Sequence, residues 1–317
     1  MSFLRRFALL ALLPLTVWAD AHIFVYHRFG DAKHASTNTS LETLRAEFEY
    51  FKNNGYTVVP LSAFATAFKN GTPVDPKWVA LTIDDAYRSF YDNGLALFKE
   101  YGYPFTLFVY VEATEKGYGD FMSWEQIREA SKHGEIGLHS YGHPHLVSLS
   151  DDAIRTDTRK AYDLFGQRLG SAPKYYAYPY GEFNPRVRSA VETFGFELIL
   201  NQNSGAVDAS SDPFDLDRSA LTGENSVAQK LRTKTLTTTW IAPKSWPADG
   251  KLKKIHATIP EHISRLEYYV SGHGWHPVTA KDGQIDITVD LPLRFERTRI
   301  FLREGRRQSS TILVKEP

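Results

Sequence analysis

The sequence predicts an α/β fold, a distorted (β/α) barrel, followed by a small C-terminal all-β sandwich. Three observations carry this. Apolar strand-like runs alternate with helix-periodic stretches from residue 22 to about residue 220 through short links, the order that a parallel sheet with right-handed crossovers requires. Chemistry-bearing residues recur just after strand runs: His27, the pair Asp84 and Asp85, His139 with His143, and Tyr180. In (β/α) barrels the site is assembled from those C-terminal strand ends. From Lys253 onward only strand-like segments remain, so a unit of another class follows.

Taken in order, residues 1–21 combine Arg5 and Arg6, the apolar run Phe7 to Trp18 and the small residues Ala19 and Ala21. A charged start, a short apolar middle and a small-residue end describe a cleavable signal peptide, with cleavage after Ala19 or Ala21. The run is shorter than the ~20 residues of a membrane span, and Pro14 interrupts it. The expected location is periplasmic or secreted, with no membrane span after cleavage.

The barrel is expected over residues 22–222. His22 to Tyr26 is a strand that delivers His27, and Leu41 to Asn54 is an amphipathic helix closed by Gly55. Tyr56 to Pro60 is a strand, Ser62 to Lys69 a helix, and Val79 to Ile83 a strand ending in Asp84 and Asp85. After a helix to Tyr101 come the strand Phe105 to Val111 and a helix capped by Ser123. Glu135 to Leu138 is a strand ending in His139, Ser150 to Leu169 a long helix, and Lys174 to Tyr178 a strand. The helix Asn184 to Phe194 and the strand Phe196 to Leu200 complete the alternation. Residues 223–250 are expected as a connector. In residues 251–317, strands at Lys254–Ile259, Arg265–Val270, Ile285–Val289, Thr298–Arg303 and Ser310–Lys315 are separated by Gly-containing turns, the pattern of a sandwich.

Composition narrows the function. The 37 basic and 37 acidic residues cancel, so there is no electrostatic case for nucleic acid or an anionic membrane surface. Without cysteine the chain has neither disulfides nor a thiolate nucleophile or ligand. Aromatic content of 14% suits sugar-binding grooves as well as cores.

Successive side chains on an extended strand point to opposite sides, so the adjacent aspartates at this strand end can face different tasks, one binding a metal while the other takes a proton. Asp is also a common helix cap. His139 and His143, four apart, can converge on one ion, and with a carboxylate they form a three-ligand site open to water.

The runs Thr82-Ile83-Asp84-Asp85-Ala86 and His139-Ser140-Tyr141-Gly142-His143 resemble the two marks of the polysaccharide deacetylase family, the NodB-homology carbohydrate esterases. Their order and spacing match over about residues 22–220. The strand HIFVYH, placed before the Asp-Asp run, most resembles the branch of periplasmic poly-N-acetylglucosamine deacetylases. The resemblance implies an N-deacetylase acting on an N-acetylated polysaccharide. Asp85, His139 and His143 would ligate a divalent metal, zinc first, with cobalt, nickel or manganese also fitting. Asp84 would be the general base, His27 the general acid, and Tyr180 would present its backbone N–H to the oxyanion.

Two departures from the family pattern stand out. Ala177 occupies the position of an arginine that holds the base, which makes Arg218 the substitute able to grip Asp84 through a bidentate pair, a structural salt bridge being the other reading. Ala86 replaces a glycine, which removes easy access to positive φ. The family's Asp-Trp motif is missing. His133 and His145 are expected as bystanders, and His273 and His276 carry no role. An O-acetyl esterase and a non-catalytic glycan-binding relative are the alternatives.

Overall fold

A computed structural model describes residues 20–222 and 226–316; the expected signal peptide lies almost entirely outside the described residues. Seven parallel strands run in the order Ser219–Ala220, His22–Tyr26, Trp78–Ile83, Thr106–Val109, Glu135–Leu138, Tyr175–Ala177, Leu198–Leu200, and Thr57–Val58 pairs with the start of Trp78–Ile83. Alternation along these strands splits their side chains between two faces. Ile23, Ala80, Phe108, Ala177 and Leu200 pack with Leu61 and Phe64 of the helix Leu61–Asn70. Phe24, Leu81, Leu107 and Tyr176 pack under the outer helices.

The sheet curls into a half-barrel whose gap is spanned by one segment. Leu216 N–H donates to Ile199 O, Asn201 N–H to Leu216 O, and Leu221 N–H to Val25 O, at 2.9 to 3.0 Å. The same stretch therefore touches the last strand and the first, and it carries Arg218 between them.

Helix ends follow local chemistry. Ser40, Ser123 and Ser150 accept N-cap hydrogen bonds, Ser123 with Gln126 forming a full capping box, and Gly71, Gly102 and Gly170 terminate helices in the left-handed conformation. The helix expected to start soon after Asp85 differs: a five-residue π-turn, Phe90–Gly94, precedes Leu95–Tyr101. A Cβ at Gly94 would lie 2.8 Å from Phe29, so the close approach there demands glycine.

The C-terminal region holds two mainly antiparallel sheets. One orders Lys234–Thr235, Arg307–Val314, Arg297–Glu304, Arg265–Val270 and Gly274–Thr279; the other orders Thr239–Ala242, Lys251–Thr258 and Gln284–Pro292. Leu266 and Leu302 of the first meet Ala257 and Ile285 of the second in a shared apolar core. Residues 223–250 are thus not simply a connector: strands 234–235 and 239–242 lie within them and extend both sheets. These strands are short edge pieces, too brief for period-2 alternation to mark them. The strand Gly274–Thr279 is absent from the sequence reading, because Gly274 and Pro277 weaken its strand signal, yet Pro277 sits on an edge strand, where proline is tolerated. Among the described residues no helix is long and apolar enough to cross a membrane.

Candidate metal and acid-base site

The site grows from strand ends. The strand His22–Tyr26 is registered with Trp78–Ile83 so that Tyr26 faces Ile83, and Asp84 N–H donates to Tyr26 O at 2.9 Å. This sets His27 at the same sheet end as the aspartate pair, its Nδ1 buried and without a hydrogen-bond partner among the described residues. The two carboxylates do not part by strand alternation. Asp85 leaves extended geometry with φ +71°, followed by Ala86 at +57°, and that turn separates them. Ala86 therefore adopts the left-handed backbone that a glycine takes more easily, at a cost of roughly 1–2 kcal/mol.

Strain of this kind is concentrated at the site. Of the six non-glycine residues with positive φ among the described residues, Asp85, Ala86, Ser140, His143 and Tyr180 are five. Such conformations persist only where neighbours over-determine them. Around His139 and His143 the restraints are visible: Asp157, from the long helix, accepts from Tyr141 N–H at 2.9 Å and Gly142 N–H at 2.8 Å, and Ser140 Oγ accepts from His143 N–H at 2.9 Å.

Asp85, His139 and His143 offer three ligand atoms to one point. His139 Nε2 and His143 Nε2 are 3.2 Å apart, and Asp85 Oδ1 lies 3.4 Å from the first and 3.2 Å from the second. Ligand bonds of about 2.0–2.1 Å at tetrahedral angles put donors about 3.3 Å apart, so the spacing fits a zinc-sized ion. Asp85 Oδ1 is buried and accepts no hydrogen bond from a described residue. His139 Nδ1 lies 2.8 Å from Ala177 O, which fixes the proton on that nitrogen and leaves Nε2 with a free lone pair. Burial lowers the His139 pKa to about 4, so the ring is neutral, as a ligand must be. Burial raises Asp85, but the His143 and His139 rings more than offset this and hold it below the usual carboxylate range.

Asp84 stands just outside this group, its Oδ2 3.9 Å from His139 Nε2. Arg218 grips it with both nitrogens, Nη1 to Oδ1 at 2.7 Å and Nη2 to Oδ2 at 2.9 Å, and both residues are fully buried. Arg218 also donates to Thr82 Oγ1 at 3.0 Å and Asn201 O at 2.8 Å, so four hydrogen bonds fix the guanidinium. Burial pushes the Asp84 carboxyl up, but the charge of Arg218 overcomes it and holds the pKa below 3.8.

Tyr180 lies in the turn Pro179–Gly181 after the strand Tyr175–Ala177, its ring edge-on to His143 with centroids 4.5 Å apart. Sequence reasoning missed several neighbours. Gln202 donates to Asp84 Oδ2 at 3.2 Å, and Asp157 carries the histidine loop. His145, expected as a bystander, stacks on Tyr180 at 4.2 Å and lies 2.7 Å from the buried Glu182. Nothing local marks Gln202 or Asp157; His145 and Glu182 lie within a few residues of motif positions, the only available signal. His133, His273 and His276 lie outside the group.

A parallel half-barrel carrying a two-histidine, one-carboxylate group beside an arginine-held aspartate defines an α/β protein with a candidate metal site at its strand ends. The chain matches the family model described as polysaccharide deacetylase over residues 71–199. It is 26% identical over 206 residues to a putative polysaccharide deacetylase, YxkH, of Bacillus subtilis, covering 63% of this chain and 71% of that one. It is 24% identical over 222 residues to the poly-beta-1,6-N-acetyl-D-glucosamine N-deacetylase of Escherichia coli, covering 57% of this chain but only 33% of that enzyme. Among solved structures, the Streptococcus pyogenes deacetylase PplD has the same fold, with a TM-score of 0.61 at 22% identity over 65% of this chain and 94% of that chain. IcaB from Ammonifex degensii reaches 0.59 at 22% identity over 64% and 92%.

Proposed function

We propose that the protein removes N-acetyl groups from an extracytoplasmic N-acetylated polysaccharide, an N-acetylglucosamine polymer being the favoured substrate class. The observation that carries the reading is the triad of donor atoms at 3.2 to 3.4 Å with an ionised, unligated aspartate beside it. Asp85, His139 and His143 would hold a divalent cation, zinc by preference. Such an ion supplies Lewis acidity, lowering the pKa of water and polarising an acetyl carbonyl.

The chain's own residues do the rest. Asp84, kept ionised and fixed in direction by Arg218, takes the proton from the attacking water. His27, presented from the neighbouring strand, gives a proton to the departing amine, because C–N cleavage needs a better leaving group than an amide anion. The Tyr180 backbone N–H faces the developing oxyanion. The activity for which the Escherichia coli relative is named supports the N-acetylglucosamine class.

Export is part of the proposal, through cleavage after Ala19. That position keeps Asp20 and Ala21, which the fold uses: Ala21 exchanges two hydrogen bonds with Val207, and Asp20 accepts from Thr235 N–H at 2.7 Å.

The test measures bound metal by elemental analysis, and acetate release from N-acetylated and O-acetylated oligosaccharides side by side. Asp84→Asn is expected to keep its metal and lose turnover, while His139→Ala loses the metal. Equal metal loss in both variants would overturn the division of roles, and release from O-acetyl substrates alone would make the protein an esterase.

A further inference from the structure

Arg297 and Arg299 are two apart on the strand Arg297–Glu304, so they share one face, and that face is turned toward the α/β domain. The Arg297 guanidinium donates to the carbonyl oxygen of Tyr180, and its Nε lies 3.6 Å from Glu182 Oε1. The other Glu182 oxygen meets His145, whose ring lies flat on the Tyr180 ring at an interplanar angle of 10°. Arg299 donates to Asn203 Oδ1 at 3.2 Å, and Gln308 on the adjoining strand donates to Ser204 O at 2.7 Å. Asn203 and Ser204 directly follow Gln202, the amide that bonds Asp84.

The C-terminal sheet thus reaches both loops that flank the site. One carries Tyr180 in a left-handed backbone, φ +59° and ψ 3°, which a tyrosine does not hold unaided. The same turn is packed tightly against the other loop, since a Cβ on Gly181 would lie 2.5 Å from the Gln202 Cβ.

We propose that the C-terminal sheet is a working part of the site and that Arg297 is its positioning residue. The Tyr180 carbonyl shares its peptide plane with the Gly181 N–H, so Arg297, by fixing that carbonyl and the Glu182 carboxylate together, restricts ψ of Tyr180 and holds the turn, and with it the preceding Tyr180 N–H, in place. Arg299 and Gln308 steady the Gln202 loop in the same way. The catalytic consequence rests on the proposed deacetylase reading; the mechanical one does not.

The experiment uses the whole chain and compares Arg297→Ala with Arg303→Ala. Arg303 lies on the same face of the same strand but pairs with Glu267, away from the site. Two readouts are taken: steady-state acetate release, and hydrogen exchange of a peptide spanning 178–183 in metal-free, substrate-free protein. Arg297→Ala is expected to exchange this peptide at least tenfold faster. Its kcat is expected to fall about tenfold to a hundredfold, with KM within about twofold and metal content unchanged. Added guanidinium ion restores part of kcat, and Arg303→Ala matches the parent in both readouts. Unchanged exchange and kcat in Arg297→Ala would overturn the proposal, as would equal losses in both variants, which denote general weakening. If the parent releases no acetate, the function reading fails, and exchange alone decides the positioning role.

Discussion

Arg218 shows how one side chain can decide a site. It is fully buried against a fully buried carboxylate, and removing one member of such a pair costs about 3–5 kcal/mol because the other charge is left unpaired. Arg218→Met is therefore expected to lose roughly that much stability in urea unfolding at pH 7, and Asp84→Asn in the same chain to recover most of it. A double variant as unstable as Arg218→Met would show that packing, not the charge, dominates. Glu47 presents the opposite case. It is buried beneath Tyr26, whose hydroxyl donates to it at 2.7 Å, and burial raises its pKa from 4.5 to about 7. A carboxyl raised in the folded state favours folding while protonated, so this contribution is complete below pH 4.5. It fades as pH rises to about 7, by roughly 1.4 kcal/mol per unit within that window. Glu47→Gln is expected to raise Tm relative to the parent at pH 8 and not at pH 4, as thermal melts across pH will show.

At the scale of elements, the half-barrel works because its strands lie close. A Cβ on Gly137, in the strand Glu135–Leu138, would sit 2.5 Å from the Phe108 ring and 3.2 Å from Tyr175 O, so this strand is pressed between a buried ring and the next backbone. Gly137→Ala must shift the strand that carries His139, and overpacking of this kind costs about 1–3 kcal/mol. The expected outcome is lower Tm together with weaker metal binding, the latter read by titration with zinc or cobalt. Intact affinity would mean that the shift stays local. The strained turns at Asp85–Ala86, Ser140, His143 and Tyr180 belong to the same scale. Met122 N–H donates to Ala86 O at 2.9 Å, Asp157 accepts from the backbone between Ser140 and His143, and Arg297 donates to Tyr180 O, so each strained stretch is held by a residue distant in sequence.

Across the whole molecule, the two units share an interface that the sequence does not announce. Asp20 bonds the strand Lys234–Thr235, Asn184 donates to Glu316 at 2.8 Å, Gln308 donates to Ser204 O, and Val314 packs on the barrel core. Units tied at both termini and through the site loops should open together. Urea unfolding followed by far-UV circular dichroism and by tryptophan fluorescence is expected to give coincident transitions, since Trp78 and Trp124 report one unit and Trp240, Trp246 and Trp275 the other. Two separated transitions would show that the sheet region is energetically independent.

The sequence by itself determined the alternation that makes a parallel sheet, the caps and glycines that end its helices, and the two short runs holding Asp84, Asp85, His139 and His143. Those features are local: hydrophobic period, turn chemistry and motif spacing are written within a few residues of where they act. The pairing of Arg218 with Asp84, the reach of Gln202 and Asp157 into the site, and the grip of Arg297 on Tyr180 join residues far apart in the chain. Only the tertiary structure decided them, because they depend on barrel curvature and on how one sheet is laid against another. No local pattern encodes that geometry, which is why the candidate ligands were legible in the sequence and most of what holds them was not.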